Sequence, residues 1–219
     1  MWSSEVTNMI ITGIWETLYM TLVSTLVGYV IGLPMGIILT VSDKDGIKPN
    51  AVLYKILDVI ANIVRSVPFI ILLVLLIPFT RLVVGKSYGS TATIVPLVIA
   101  AAPYIARMVE SSLKEVDAGV IEAARSMGAS NFTIITKVML VEARTSLLVG
   151  ATITLGTILG YSAMSGAVGG GGLGAIAIRY GYYRYQSDIM IVTVILLIIL
   201  FQIFQTVGMK LADKFDHRK

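Results

Sequence analysis

The stretch TLYMTLVSTLVGYVIGLPMGIILTVS, Thr17 to Ser42, carries no charge over 26 residues. As a helix it would be about 39 Å long, enough to cross the ~30 Å hydrocarbon layer of a bilayer with some tilt. The rest of the chain agrees with that reading. Of its 219 residues 56% are hydrophobic and only 14% charged, whereas soluble domains average roughly 25% charged. An all-α transmembrane protein is expected, with residues 1–219 forming a single membrane domain and no soluble enzyme domain. Gly28, Gly32 and Gly36 recur at four-residue spacing within the run, a face that lets another backbone approach closely. Pro34 is expected to kink the helix. The segment before the run holds Glu5 and Glu16 but no Lys or Arg, unlike a cleavable signal peptide, so the run is expected to stay.

Charge and proline mark out the remaining spans. Residues 41–58 contain Asp43, Lys44, Asp45, Lys48, Lys55 and Asp58 with an Asp45-Gly46 turn signal, and read as a polar loop. A second span is expected over 59–80, with Arg65 near its start snorkelling toward that loop. A third is expected over 87–106, bent at Pro96 and Pro103. Charges then crowd residues 107–144, the longest aqueous segment. A fourth span over 145–168 runs into the glycine-rich stretch from Ser165 to Gly174, where a helix is hard to sustain. Irregular backbone at membrane depth reads as a constriction or gate, and at the membrane surface as an ordinary loop. A fifth span covers 189–209, and Lys210, Lys214, His217, Arg218 and Lys219 close the chain.

Five spans place the termini on opposite sides. Of the 17 Lys and Arg residues, 13 fall on the side holding the first loop, the 107–144 segment and the C-terminal tail. The positive-inside rule makes that side cytoplasmic, with the N-terminus outside. Within the cytoplasmic segment, Asp117 is a candidate N-cap and Val120, Ala123, Ala124 and Met127 form a narrow apolar stripe. Gly128 suits the left-handed position that ends a helix. Ser130 then caps a second short helix with Phe132, Ile135, Val138 and Met139 on one face.

Several chemistries are excluded. The chain has no cysteine and a single histidine, in the tail, which removes disulfides, thiolate nucleophiles and Cys/His metal sites. Gly85-Lys86-Ser87 lacks the glycine a phosphate loop needs at position 80, which is Thr80; Gly169-x-Gly171-x-x-Gly174 follows no strand. The net charge of +4 sits in membrane-flanking segments and implies no nucleic acid. The expected span cores hold no acid or histidine with which to couple transport to protons or sodium. The chain is therefore expected to act with others: as an oligomer, most simply a homodimer through the three-glycine face, and with a soluble cytoplasmic partner.

The segment Glu122-Ala123-Ala124-Arg125-Ser126-Met127-Gly128, followed after nine residues by Val138-Met139-Leu140-Val141, resembles the EAA motif of permease subunits of bacterial ABC importers. That motif runs Glu-Ala-Ala, three residues, Gly, nine residues, Ile, any residue, Leu-Pro. Its second half departs here at Val138 and Val141. The stretches SVPFIILLVLLIPFTRLVVG, APYIARMVE and GYSAMSGAVGGGGLG are similar to those of the methionine-uptake permease subfamily, so the resemblance covers most of the chain from Arg65 to Gly174. It implies a five-helix type I ABC importer permease with a cytoplasmic coupling helix between spans 3 and 4, resident in the bacterial cell membrane. It also implies a homodimer, two ABC ATPase subunits that hold ATP and Mg, and an extracytoplasmic methionine-binding lipoprotein. No cofactor is expected in this chain, and the solute would be methionine of either enantiomer. Glu122, Ala123, Ala124, Arg125, Met127 and Gly128 would couple to the ATPase, and Tyr161, Ser162 and Met164 would line the translocation path near the gate. A permease for another small solute, or a membrane scaffold that docks a cytoplasmic protein without transporting, are the alternatives.

Overall fold

The computed structural model describes residues 4–215, all of whose regular elements are helical; the tail residues His217, Arg218 and Lys219 lie outside the described range. The first helix, α1, spans Ser4–Ser42, starting 13 residues before the expected span and reaching about 58 Å at 1.5 Å per residue. Its glycines meet α5, Ser90–Lys114. A Cβ on Gly28 would lie 2.9 Å from that of Ala101, one on Gly32 2.6 Å from the Ala102 carbonyl oxygen, and one on Gly36 2.6 Å from that of Ala106. The glycine face is thus filled within the chain. It is not the oligomer surface the sequence suggested, because a small-residue stripe signals close approach without saying whose helix approaches. The paired residue numbers rise together, so α1 and α5 run parallel.

Between them the chain must return to the end at which α1 began. It does so through α2 (Ala51–Ser66), α3 (Phe69–Leu75) and α4 (Ile77–Val84). Residues 51–58 are helical, not loop: the Asn50 side chain caps α2 by accepting the Leu53 N–H at 3.1 Å. The second span is not one helix either. Val67, preceding Pro68, is forced to extended backbone, and α2 and α3 meet there at a 101° bend. Helix α2 is inside-out by soluble standards. Tyr54, Asp58 and Asn62 turn toward α5, whereas Val52, Ile56, Ile60 and Ile63 are exposed, the arrangement of a helix whose outer surface meets hydrocarbon.

After α5 come three short helices, α6 (Ala118–Ser126), α7 (Asn131–Thr133) and α8 (Leu140–Glu142), the last two joined by a π-helical turn over Ile134–Met139. The long α9, Arg144–Ser165, runs back antiparallel to α5: Ser146 donates to the Ser112 hydroxyl at 2.9 Å and Gly150 faces Met108. Helix α11, Ser187–Lys214, is antiparallel to α9, with Gly208 against Thr152 and the Phe201 ring over Gly156. Gly156 is thus a close contact, whereas nothing lies within 4 Å of a Cβ on Gly160.

The glycine-rich stretch breaks the helix as expected. A 3₁₀ turn at Gly166–Val168 leads to α10, Gly172–Ile176, with Gly169 (φ 87°) and Gly172 (φ 80°) in the left-handed region. Beyond α10 the chain stays helical as a π turn to Tyr182. One core joins the whole: Leu97, Ile105 and Leu113 of α5 form a continuous apolar cluster with Ala124, Ile134 and Ile158.

Candidate functional site

Helix α6 is defined at both ends by local chemistry. The Asp117 carboxylate accepts the Gly119 N–H at 2.7 Å. At the other end the Ala129 N–H reaches the Ala124 carbonyl at 3.1 Å and the Gly128 N–H reaches that of Arg125 at 2.9 Å, the paired bonds of a Schellman stop. This requires Gly128 at φ 81°. Ser130 opens the next turn by accepting the Thr133 N–H at 3.2 Å.

The apolar stripe read from the sequence is divided. Ala124 is buried and Ile121 half-buried, and these anchor α6 to the core. Val120, Ala123 and Met127 are exposed, with Met127 at 82%, and so is Phe132 at 74%. Glu122 and Arg125 are exposed as well, and Arg125 donates to the Ile47 carbonyl at 3.1 Å, tying α6 to the loop after α1. Glu122, Ala123, Met127 and Gly128 thus share a free surface, while Ala124 belongs to the interior. Periodicity found the helix but chose the wrong anchor, since Ile121 and Ala124 are as well spaced as Ala124 and Met127.

Beside α6 lies a charged network, built around the buried Glu110, that the sequence reading missed. Glu110, only 5% exposed, accepts Arg107 at 2.6 Å, Lys114 at 2.8 Å and the Tyr54 hydroxyl at 3.3 Å. Arg107 also pairs with Asp58 and donates to the Asn62 amide oxygen at 3.1 Å. Lys114 reaches Asp43 at 2.6 Å. The hydrogen bond from Lys114 holds the Asp43 carboxyl below the usual aspartate range, against an opposing effect of burial. Two patterns could have revealed this: Arg107, Glu110 and Lys114 at i, i+3, i+7, and Tyr54, Asp58 and Asn62 at i, i+4, i+8. Both are single helix faces. Charge alone hides them: the expected third span ends at residue 106 and the expected first loop runs to residue 58, whereas α5 continues eight residues past 106 and α2 begins at Ala51.

The three residues expected along the path do not share one face. Tyr161 stacks on Phe69 with ring centroids 4.5 Å apart. Met164 is 52% exposed, on the side of α9 that also bears Gly160. Ser162 turns inward, 1% exposed, and donates to the Leu159 carbonyl at 2.8 Å. At the end of the bundle far from α6, Glu16 and Thr17 of α1 bond the glycine-rich stretch: Glu16 accepts the Gly172 N–H at 2.6 Å and Thr17 the Leu173 N–H at 2.9 Å. No sequence signal pointed to that contact, which spans 156 residues. Among the described residues no three of His, Cys, Asp or Glu converge as a metal site.

The family model described as binding-protein-dependent transport system inner membrane component matches residues 28–218. The probable D-methionine transport system permease protein MetI of Vibrio cholerae is 49% identical over 217 residues, 99% of this chain and 96% of that protein. The D-methionine transport system permease protein MetI of Escherichia coli K12 is 52% identical over 158 residues, 72% and 73% of the two chains. Among solved structures, a chain from inward-facing conformations of the MetNI methionine ABC transporter superposes with a TM-score of 0.96 at 50% identity, covering 99% of this chain and all of that one. A chain of an amino acid ABC transporter, at 22% identity and a TM-score of 0.73, shares the fold.

Proposed function

Since the chain belongs to the family of binding-protein-dependent transport system inner membrane components, we propose that it carries methionine, in the L- or D-form, into the bacterial cytoplasm. It is a multi-pass permease subunit of an ABC importer, and the ATPase is a separate subunit. Two copies of that ATPase bind ATP and Mg beneath two copies of this chain, and an extracytoplasmic lipoprotein delivers the solute. The parallel α1 and α5 and the antiparallel α9 and α11 support five crossings within the one domain, the second being the bent α2–α4 segment. With the N-terminus outside and the C-terminus inside, α6 faces the cytoplasm.

The division of α6 carries this reading. One side, Ile121 and Ala124, is fixed to the core that runs up α5; the other, Glu122, Ala123 and Met127, is exposed. A helix so mounted passes a push from a docked ATPase directly into the bundle, with Arg125 holding its position against Ile47. The glycine face of α1 being occupied, the second copy meets the open side of α9. Tyr161 and Met164 border the path between copies, and Ser162 holds the backbone behind them. A flexible thioether such as Met164 can seal an apolar constriction and repack as it opens.

The test is reconstitution in liposomes of this chain with its ATPase and binding protein. ATP-dependent accumulation of labelled methionine is the expected result. Uptake of another solute alone would overturn the substrate assignment, and absence of any ATP-dependent uptake would overturn the importer reading.

A further inference from the structure

The glycine-rich stretch is pinned at the bundle end opposite α6. The Gly89 N–H donates to the Gly169 carbonyl at 2.8 Å, fixing the stretch to the start of α5. Glu16 and Thr17 hold Gly172 and Leu173 from the other side. The Glu16 bond is charge-assisted and short, stronger than a neutral hydrogen bond. Fit is also tight there, since a Cβ on Gly171 would sit 2.6 Å from the Glu16 carboxylate. A cavity borders the contact, lined by Glu5, Asn8, Glu16, Tyr88, Arg179 and the glycines themselves. Left-handed backbone at Gly169, which is tied to Gly89, gives the stretch a permissive pivot ahead of the pinned Gly172 and Leu173.

Resting on the importer reading, we propose that Glu16 and Thr17 are positioning residues that latch the Gly169–Gly174 segment shut as the gate at this face. When the bundle responds to nucleotide, α1 shifts relative to α10 and the carboxylate exchanges the Gly172 N–H for water. The segment then swings on the Gly169 pivot and opens the cavity toward the path. Among the described residues no other carboxylate hydrogen-bonds this segment, so gate closure depends on a side chain from the first helix.

The chain has no cysteine, which permits a direct test. Leu173→Cys, buried at 0% exposure beneath the latch, reports on the gate; Leu113→Cys, buried at 1% at the other end, reports on the fold. Each is reacted with a hydrophilic maleimide in nanodisc-reconstituted complex with ATPase and binding protein, with and without a non-hydrolysable ATP analogue. Labelling at Leu173→Cys should rise at least fivefold with nucleotide. Glu16→Ala should raise it at least tenfold without nucleotide and abolish the response, whereas Glu16→Gln, which keeps an acceptor, should stay within threefold of the parent. Leu113→Cys should change in none of these. An unchanged rate in Glu16→Ala, an equal rise at both reporters, or no nucleotide response in the parent would each overturn the latch. Methionine uptake by the parent separates the two readings: its loss sinks the importer, its persistence with a silent Glu16→Ala sinks only the latch.

Discussion

Lys114, the last residue of α5, places its ammonium 2.6 Å from the carboxylate of Asp43, the first residue after α1. This ion pair closes the parallel α1–α5 pair at the end where α6 is mounted. Because the contact lowers the Asp43 pKa, its contribution is present above the unfolded aspartate value, about 3.9, and is lost as pH falls through the folded one. Asp43→Asn should therefore lower the melting temperature at neutral pH by about 2–4 °C, as a ~1 kcal/mol loss does in a chain of this size. The difference from the parent should vanish below that range. Thermal unfolding followed against pH checks this, and a difference that persists at the acid end would count against it.

Gly32 and Gly160 should behave oppositely. Gly32→Val drives methyl groups into the Ala102 carbonyl and Ile105 and should destabilise by about 1–3 kcal/mol, visible as a lowered melting temperature. Gly160→Ala meets nothing within 4 Å in the chain and should be neutral to slightly stabilising. Gly160→Leu should leave the fold intact but reduce uptake, because it protrudes from the side of α9 assigned to the second copy.

Replacing Gly128 by valine puts a β-branched residue at φ 81°, at a cost of about 1–2 kcal/mol, and should undo the α6 stop. ATP hydrolysis should continue while methionine uptake per ATP drops roughly tenfold or more. Gly128→Asn, tolerated in the left-handed region, should retain most coupling. The ratio of transport to hydrolysis in proteoliposomes distinguishes the two.

Neighbouring alanines in α6 should report different properties. Ala123→Glu alters the exposed face and should weaken ATPase binding at least tenfold, about 1.4 kcal/mol, with the melting temperature unchanged. Ala124→Leu overfills a position only 6% exposed and should destabilise the permease itself. Co-purification of the ATPase and a thermal scan separate these effects.

The parts of this architecture that were legible in the sequence are those written in local chemistry. Asp117, Gly128 and Ser130 act where caps and a left-handed stop were expected, since each works within a few residues of itself. The uncharged runs located α1, α5, α9 and α11, but charge alone misplaced their ends. Half-buried pairs such as Arg107 with Asp58 allow a helix to keep its ionised residues while it continues. The bend at Val67–Pro68 was underestimated because proline breaks a helix without stating the angle. Contacts across long separations were invisible: nothing near Gly28 names Ala101, and nothing near Glu16 names Gly172. The path residues show the same limit, as adjacency placed Ser162 beside Tyr161 while helical geometry turned it inward.

The glycine contacts between α1 and α5 leave no room for one helix to slide along the other, since each shift would drive carbonyls into the neighbouring chain. The pair therefore moves as a two-stranded lever, clamped by Asp43–Lys114 near one end. Glu16 lies about 39 Å along α1 from Ser42, so a tilt of about 5° about the Asp43–Lys114 end displaces it by about 3 Å. A small rocking at α6 is thus carried as a larger displacement to the Glu16–Gly172 contact, with no change in the packing between α1 and α5.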